Sequence, residues 1–63
     1  MNALYAQNPR QLDICLKLLY SEKISWIVDI YEDNKGRIRY KISVPAEGIK
    51  FDEIKEKYRI LIS

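Results

Sequence analysis

Two stretches in the middle of the chain carry an apolar or aromatic residue at every second position. They run from Ile24 to Tyr31 and from Arg37 to Val44, and a period of two residues is typical of a β-strand with one buried face. Both stretches are also rich in β-branched and aromatic residues, which strands favour. We expect the core-facing positions to be Ile24, Trp26, Val28 and Ile30 in the first stretch and Ile38, Tyr40, Ile42 and Val44 in the second.

Residues 33–37, Asp-Asn-Lys-Gly-Arg, join these stretches into a hairpin. A type I turn at Asn34-Lys35, followed by Gly36 in the left-handed conformation, gives a three-residue loop with Asp33 opposite Arg37. A two-residue loop would instead pair apolar with polar residues along the whole ladder. The three-residue loop predicts the pairs Ile30–Tyr40, Val28–Ile42, Trp26–Val44, Tyr31–Arg39 and Asp29–Lys41.

The flanking sequence predicts two helices and two further strands. A short strand covers Asn2–Ala6, and a helix follows from Pro9 to Glu22, because Asn8 is a good N-cap and proline suits the first helical position. After a break at Pro45 and Gly48, apolar spacing predicts a second helix over Phe51–Tyr58. The alternation in Arg59–Ser63, with Ile60 and Ile62 pointing inward, predicts a last strand.

The resulting order of elements predicts one domain over residues 1–63. Strand, helix, strand, strand, helix, strand is a ferredoxin-like α+β fold, a four-stranded antiparallel sheet with two helices on one face. Right-handed crossovers place the first and third strands in the centre, flanked by the last and the second. A chain of 63 residues buries only a thin core, so burial of a further face in a dimer or against a partner would stabilise it.

The sheet face without helices is the predicted interaction surface. Its predicted binding residues are Tyr5, Ile27, Asp29, Tyr31, Arg37, Arg39 and Lys41, and Ser43 and Leu61 are expected on the same face. Alternating charges on a solvated sheet are the simplest interpretation of this pattern. Apolar residues among charges also suit pairing with a second copy, whereas basic residues beside tyrosines suit nucleic acid.

Composition bears on the chemistry. The net charge is +2, and the positive excess lies in the second half of the chain, where Lys35–Ser63 holds eight basic and four acidic residues. There is no histidine, and the two glycines stand apart, which excludes histidine-based catalysis, histidine metal ligation and a glycine-rich phosphate loop. We expect no enzyme activity, no cofactor and no metal. Cys15, the single cysteine, is expected on the inner face of the first helix as a small buried hydrophobe.

The first third of the chain resembles a known group of proteins. The segment Leu4-Tyr5-Ala6-Gln7-Asn8-Pro9, a leucine-rich helix through Leu18-Leu19 and Glu22-Lys23-Ile24 entering a strand are similar to the start of small prokaryotic putative signal-transducing domains of ferredoxin-like or ACT-like shape. The glycine that those domains often carry before the second strand is absent. The resemblance implies a regulatory or interaction module and identifies no binding residue.

These observations lead to one function and two alternatives. We expect a non-catalytic protein-interaction or regulatory module that forms a homodimer through the open sheet face or an edge strand. The alternatives are a nucleic-acid-binding module that uses the basic third strand and a small inhibitor that docks on a larger host or phage protein. The lone cysteine, together with the absence of a signal peptide or membrane-length apolar run, predicts a cytoplasmic protein with no membrane partner.

Overall fold

The hairpin is the central element of the computed structural model, which describes all residues from Met1 to Ser63. It consists of β2 (Ile27–Glu32) and β3 (Ile38–Val44). Gly36 has a φ of +76°, its N–H donates to the carbonyl of Asp33 at 3.0 Å, and the N–H of Asp33 donates to the carbonyl of Arg37 at 2.9 Å. The predicted three-residue loop, which needs glycine at its left-handed position, is therefore confirmed.

The register of the hairpin is also the predicted one. Observed pairs along the ladder are Val28↔Ile42, Asp29↔Lys41, Ile30↔Tyr40 and Tyr31↔Arg39. The predicted pair Trp26–Val44 lies outside the ladder, because β2 begins at Ile27. The segment Ile24–Trp26 is therefore not part of the strand, although Ile24 and Trp26 both pack against the core.

The first strand and helix match their predicted positions closely. β1 (Asn2–Ala6) pairs antiparallel with β3, and the sheet order is β1-β3-β2. α1 (Pro9–Ser21) begins after Asn8, whose side-chain oxygen accepts a hydrogen bond from the N–H of Gln11 at 2.9 Å. The Gln11 side chain in turn accepts from the N–H of Gln7. This exchange satisfies N–H groups at the helix start that have no partner within the helix.

The predicted fourth strand is wrong, and with it the ferredoxin-like fold. α2 runs without interruption over Gly48–Ile62, so the sheet has three strands rather than four. No glycine or proline follows Gly48 to stop the helix, and a strand would need such a reversal after Tyr58. Ile60, predicted to point inward, is exposed, and Leu61 lies on α2 instead of on the sheet.

A core of eight residues joins the two helices to one face of the sheet. The sheet contributes neighbouring side chains of β1 and β3, α1 contributes two residues, and α2 contributes two more. They are Leu4, Ala6, Cys15, Leu19, Ile42, Val44, Ile54 and Tyr58. β2 contributes none of the eight, although Val28 packs against this cluster as a partly buried residue.

The end of α1 places a lysine in a strained backbone conformation. The N–H of Ile24 donates to the carbonyl of Leu19, and that of Lys23 donates to the carbonyl of Tyr20, which is the pattern of a Schellman motif. Lys23 has a φ of +58° and is the one residue other than glycine with a positive φ. Such conformations are costly for residues with a Cβ atom.

We therefore expect the substitution Lys23→Gly to stabilise the monomer. Relief of left-handed strain outweighs the greater chain entropy of glycine by about 0.5–1 kcal/mol. Urea unfolding at low protein concentration measures this change. The control is Ser21→Gly at the last position of α1, which should destabilise the protein because it removes the hydroxyl that donates to the Leu18 carbonyl. An unfolding midpoint of Lys23→Gly below that of the unsubstituted chain would contradict the expectation.

Candidate interaction surface

The predicted binding residues other than Arg37 lie on one face of the sheet. We call the side of the sheet away from the helices the outer face. Residues opposite one another in the register form rows across it, such as Tyr5–Lys41–Asp29 and Arg39–Tyr31. The outer face carries Tyr5, Ile27, Asp29, Tyr31, Arg39 and Lys41, and Arg37, in the loop just before β3, contacts the same carboxylate as Arg39.

Two arginines converge on one carboxylate. The Nε of Arg37 lies 3.1 Å from Oδ2 of Asp33, and the Nε of Arg39 lies 3.4 Å from the same oxygen. Arg39 also donates to the backbone carbonyl of Gln7 at 2.8 Å. Arg39 thereby joins the hairpin to the loop between β1 and α1.

This cluster limits the positive charge that the outer face offers to a ligand. Arg37 and Arg39 already bond to Asp33, whereas Lys41 makes no ion pair. Asp29 lies opposite Lys41 in the register, yet no ion pair joins them. Because Asp33 offsets one of the two guanidinium charges, a nucleic-acid backbone would meet two uncompensated positive charges here, one shared by the arginines and one on Lys41. So small a basic patch weakens the nucleic-acid alternative.

The ionisation of Asp33 is coupled to folding. Hydrogen bonds from the backbone N–H of Arg37 and then of Lys35, together with the guanidinium of Arg37, lower the pKa of the Asp33 carboxyl. Because the folded-state pKa lies below the unfolded one, the ionised carboxylate stabilises the fold at neutral pH. That contribution is lost as the pH falls below about 4.

We expect Asp33→Asn to lower the free energy of unfolding at neutral pH. The loss should be smaller in acid. Asparagine keeps an acceptor for the backbone N–H groups but loses its charge to the two arginines. The difference in unfolding midpoint between the unsubstituted chain and this variant should shrink between pH 5 and pH 2. Asp52→Asn, at an exposed acid without an ion pair, is the control and should show a much smaller difference. Equal pH dependence in both variants would contradict this role of Asp33.

β2 is far more exposed than its composition predicts. Five of its six residues are exposed, although the alternation of its sequence, Ile-Val-Asp-Ile-Tyr-Glu, predicts one buried face. Ile27 on the outer face is 58% exposed, and Ile30 on the helix side is 67% exposed. The predicted core face of the hairpin is thus uncovered at the end next to the loop, where Ile30, Ile38 and the half-buried Tyr40 lie side by side.

The free edge of β2 presents backbone groups without partners. The N–H of Asp33 points at β3. Along a strand, the N–H and carbonyl groups of successive residues point alternately to one side and to the other. Asp29 and Tyr31 therefore also bond to β3, whereas the N–H and carbonyl groups of Val28, Ile30 and Glu32 face outward. Such an edge is a template for another strand.

The edge of β1 is partly blocked. The hydroxyl of Tyr58 on α2 donates to the carbonyl of Tyr5 at 2.8 Å, so this carbonyl faces away from β3. By the same alternation, Ala3 also faces the free edge. Burial raises the pKa of the Tyr58 phenol to about 12, with a further contribution from Cys15, so the hydroxyl keeps its proton and remains a donor.

A groove lies next to the start of β2. It has a volume of about 400 Å³ and is lined by Tyr20, Lys23, Ile24, Ser25 and Trp26. A second groove of about 290 Å³ separates β1 from the last turns of α2. The first groove combines exposed apolar surface with the cation Lys23, which makes no ion pair.

Sequence reasoning did not identify one charged contact between the helices. Glu22, just after α1, accepts from Lys50 at 3.2 Å and from Lys57 at 3.3 Å, both on α2. These contacts lower the pKa of the Glu22 carboxyl, chiefly through the hydrogen bond from Lys50. Lys50 and Lys57 are two helical turns apart and share a face. The predicted second helix began at Phe51, so it did not show that these two lysines lie side by side.

The interior holds no reactive group. Cys15 is fully buried, as expected, and burial raises the pKa of its thiol to about 11. No cluster of three or more acidic or cysteine residues is arranged to hold a metal ion. Neither helix has the length and apolarity needed to cross a lipid bilayer.

Comparison with protein-family models, with curated proteins and with solved structures finds no match to this chain. The similarity of the first third to small signal-transducing domains therefore stays a prediction.

Proposed function

We propose that the chain is a non-catalytic interaction or regulatory module of the cytoplasm that associates with a second copy of itself through its sheet. The observation that carries the proposal is the exposure of β2, an apolar strand with five of six residues open to solvent. Three of the exposed residues, Ile27, Ile30 and Tyr31, are large apolar or aromatic side chains, and their burial would be favourable. Association with a second copy would cover it.

The small core supports the same proposal. Eight of 63 residues are buried, and a domain of this size gains little stability from its core alone. Large apolar side chains remain exposed on both faces of the hairpin, among them Ile27, Ile30 and Ile38. Burying them between two copies would stabilise each fold as well as the assembly.

Light scattering as a function of protein concentration tests this proposal. We expect a mass near twice the 7.5 kDa chain mass at high concentration and a decrease on dilution. A mass of one chain even at millimolar concentration would refute the proposal.

A matched pair of variants identifies the surface that is used. Ile30 on β2 and Ile49 on α2 are both highly exposed, at 67% and 79%. Ile30→Lys should weaken association, because it places a charge in the proposed interface, whereas Ile49→Lys should leave the mass unchanged. The reverse result would move the interface from the sheet to α2.

A further inference from the structure

We infer that the two copies join edge to edge through β2, antiparallel about a two-fold axis beside Val28, to form one continuous six-stranded sheet. This inference rests on the proposed self-association and names its geometry. The strand order across the assembly would be β1-β3-β2-β2-β3-β1. Each copy would then supply the missing neighbour of the other copy's most exposed strand.

The two edges of the sheet differ in how many backbone groups are free to bond to another strand. At β1, the hydroxyl of Tyr58 already occupies the outward carbonyl of Tyr5. At β2, the outward N–H and carbonyl groups of Val28, Ile30 and Glu32 are all free, and the side chains around them are largely apolar. Strand addition needs a run of such groups, which β2 offers and β1 does not.

Like charges exclude two of the four possible registers. In a two-fold antiparallel pair centred on one of the four inner residues of β2, the axis passes beside Val28, Asp29, Ile30 or Tyr31. An axis at Asp29 sets this acid opposite its own copy, and an axis at Tyr31 sets Asp29 opposite Asp33 of the second copy. Like charges directly opposite each other are destabilising, so the axis lies at Val28 or Ile30.

Apolar matching favours the axis at Val28. It sets Trp26 opposite Ile30 of the second copy and Val28 opposite itself, so the centre of the helix-side row is apolar, and Glu32 falls at the two ends of the row, opposite Ile24. An axis at Ile30 instead sets Val28 opposite Glu32 and leaves Trp26 without a strand neighbour. The axis at Val28 requires that Ile24–Trp26, which precede β2 in the single chain, extend the strand in the dimer.

The groove beside Trp26 fits this register. Ile30 of the second copy, opposite Trp26, would lie at the groove that Tyr20 and Ile24 line with it. Glu32 of the second copy falls opposite Ile24, one residue from Lys23. Neither Lys23 nor Glu32 has an ion-pair partner within its own chain, and the register brings the two charges together twice per dimer.

Cysteine cross-linking tests the register. Val28→Cys should form a disulfide between copies under oxidised glutathione, because directly opposite, hydrogen-bonded residues have Cα atoms about 5.5 Å apart. Ile30→Cys should not, since its two copies lie about 13 Å apart along the strands. The native Cys15 is buried and does not compete.

The outcomes separate this inference from the proposed function. Cross-linking at position 28 alone supports the register, and cross-linking at position 30 alone overturns it in favour of the other axis. A dimeric mass with no cross-link at either position overturns the edge pairing but leaves self-association standing. A monomeric mass overturns both.

Ile27→Lys distinguishes edge pairing from stacking of two outer faces. In the proposed register, position 27 lies opposite Asp29 of the second copy, so the lysine gains an acidic neighbour and the dimer persists. In a stacked dimer, the same lysine would be buried in the interface and would disrupt it. Loss of the dimer in this variant would overturn the edge pairing.

A charge exchange tests the contact between Lys23 and Glu32. Lys23→Glu and Glu32→Lys should each weaken the dimer about 2-fold to 10-fold, and the double variant should recover most of the loss. Losses that simply add in the double variant would contradict the register.

Discussion

We expect Ile30→Pro to convert the proposed dimer to a monomer that keeps its fold. The N–H of Ile30 faces the free edge of β2, so proline removes no hydrogen bond to β3, and proline is tolerated in edge strands. In the dimer, each Ile30 N–H would donate to the second copy, and both donors are lost. We expect the dissociation constant to rise about 10-fold to 100-fold, as measured by sedimentation equilibrium.

Two companion variants make this result specific. Ile30→Val keeps the N–H and a β-branched side chain, so its dissociation constant should stay close to that of the unsubstituted chain. Tyr31→Pro should unfold the monomer, because the N–H of Tyr31 bonds to β3. If Ile30→Pro associated as tightly as the unsubstituted chain, the edge of β2 would not be the interface.

Leu19→Ala removes most of the stability of the monomer. Leu19 is fully buried on α1 and is among the largest side chains of the core. Truncation of a buried leucine costs about 2–5 kcal/mol, whereas a domain of this length has a total stability of roughly 3–9 kcal/mol. We expect circular dichroism at low protein concentration to show a partly or fully unfolded chain.

The matched control is Leu61→Ala on α2. Leu61 is half exposed, so its truncation leaves no enclosed cavity and should lower the urea midpoint only slightly. Similar losses for Leu19→Ala and Leu61→Ala would mean that the core is not centred on α1 and β3.

The hairpin could be predicted from sequence because its signals agree. Alternation, charge pairing and Gly36 in the loop all favour one register, and a shift of one residue would reverse every side chain. The last segment offered no such agreement. Four residues, Arg59 to Ile62, fit a strand or a helix equally well, and the absence of any stop signal after Gly48 was the better indication.

The exposure of β2 could not be predicted in the same way. Alternation predicts which side chains share a face, but not whether a helix reaches that face. Ile30 and Ile38 lie on the helix side, yet the core shared with the helices is built from other side chains, of β1 and of the second half of β3. Likewise, the register predicted Arg37 beside Asp33, but the contact of Arg39 with Gln7 depends on where the loop after β1 lies.

Backbone amide exchange at two protein concentrations tests the edge pairing of β2 most directly. The amides of Asp29 and Tyr31 bond to β3, so they should be protected at both concentrations. The amides of Val28 and Ile30 should be protected only at the concentration where the dimer forms. If Val28 and Ile30 exchange rapidly while light scattering shows a dimer, the edge of β2 is not where the copies meet.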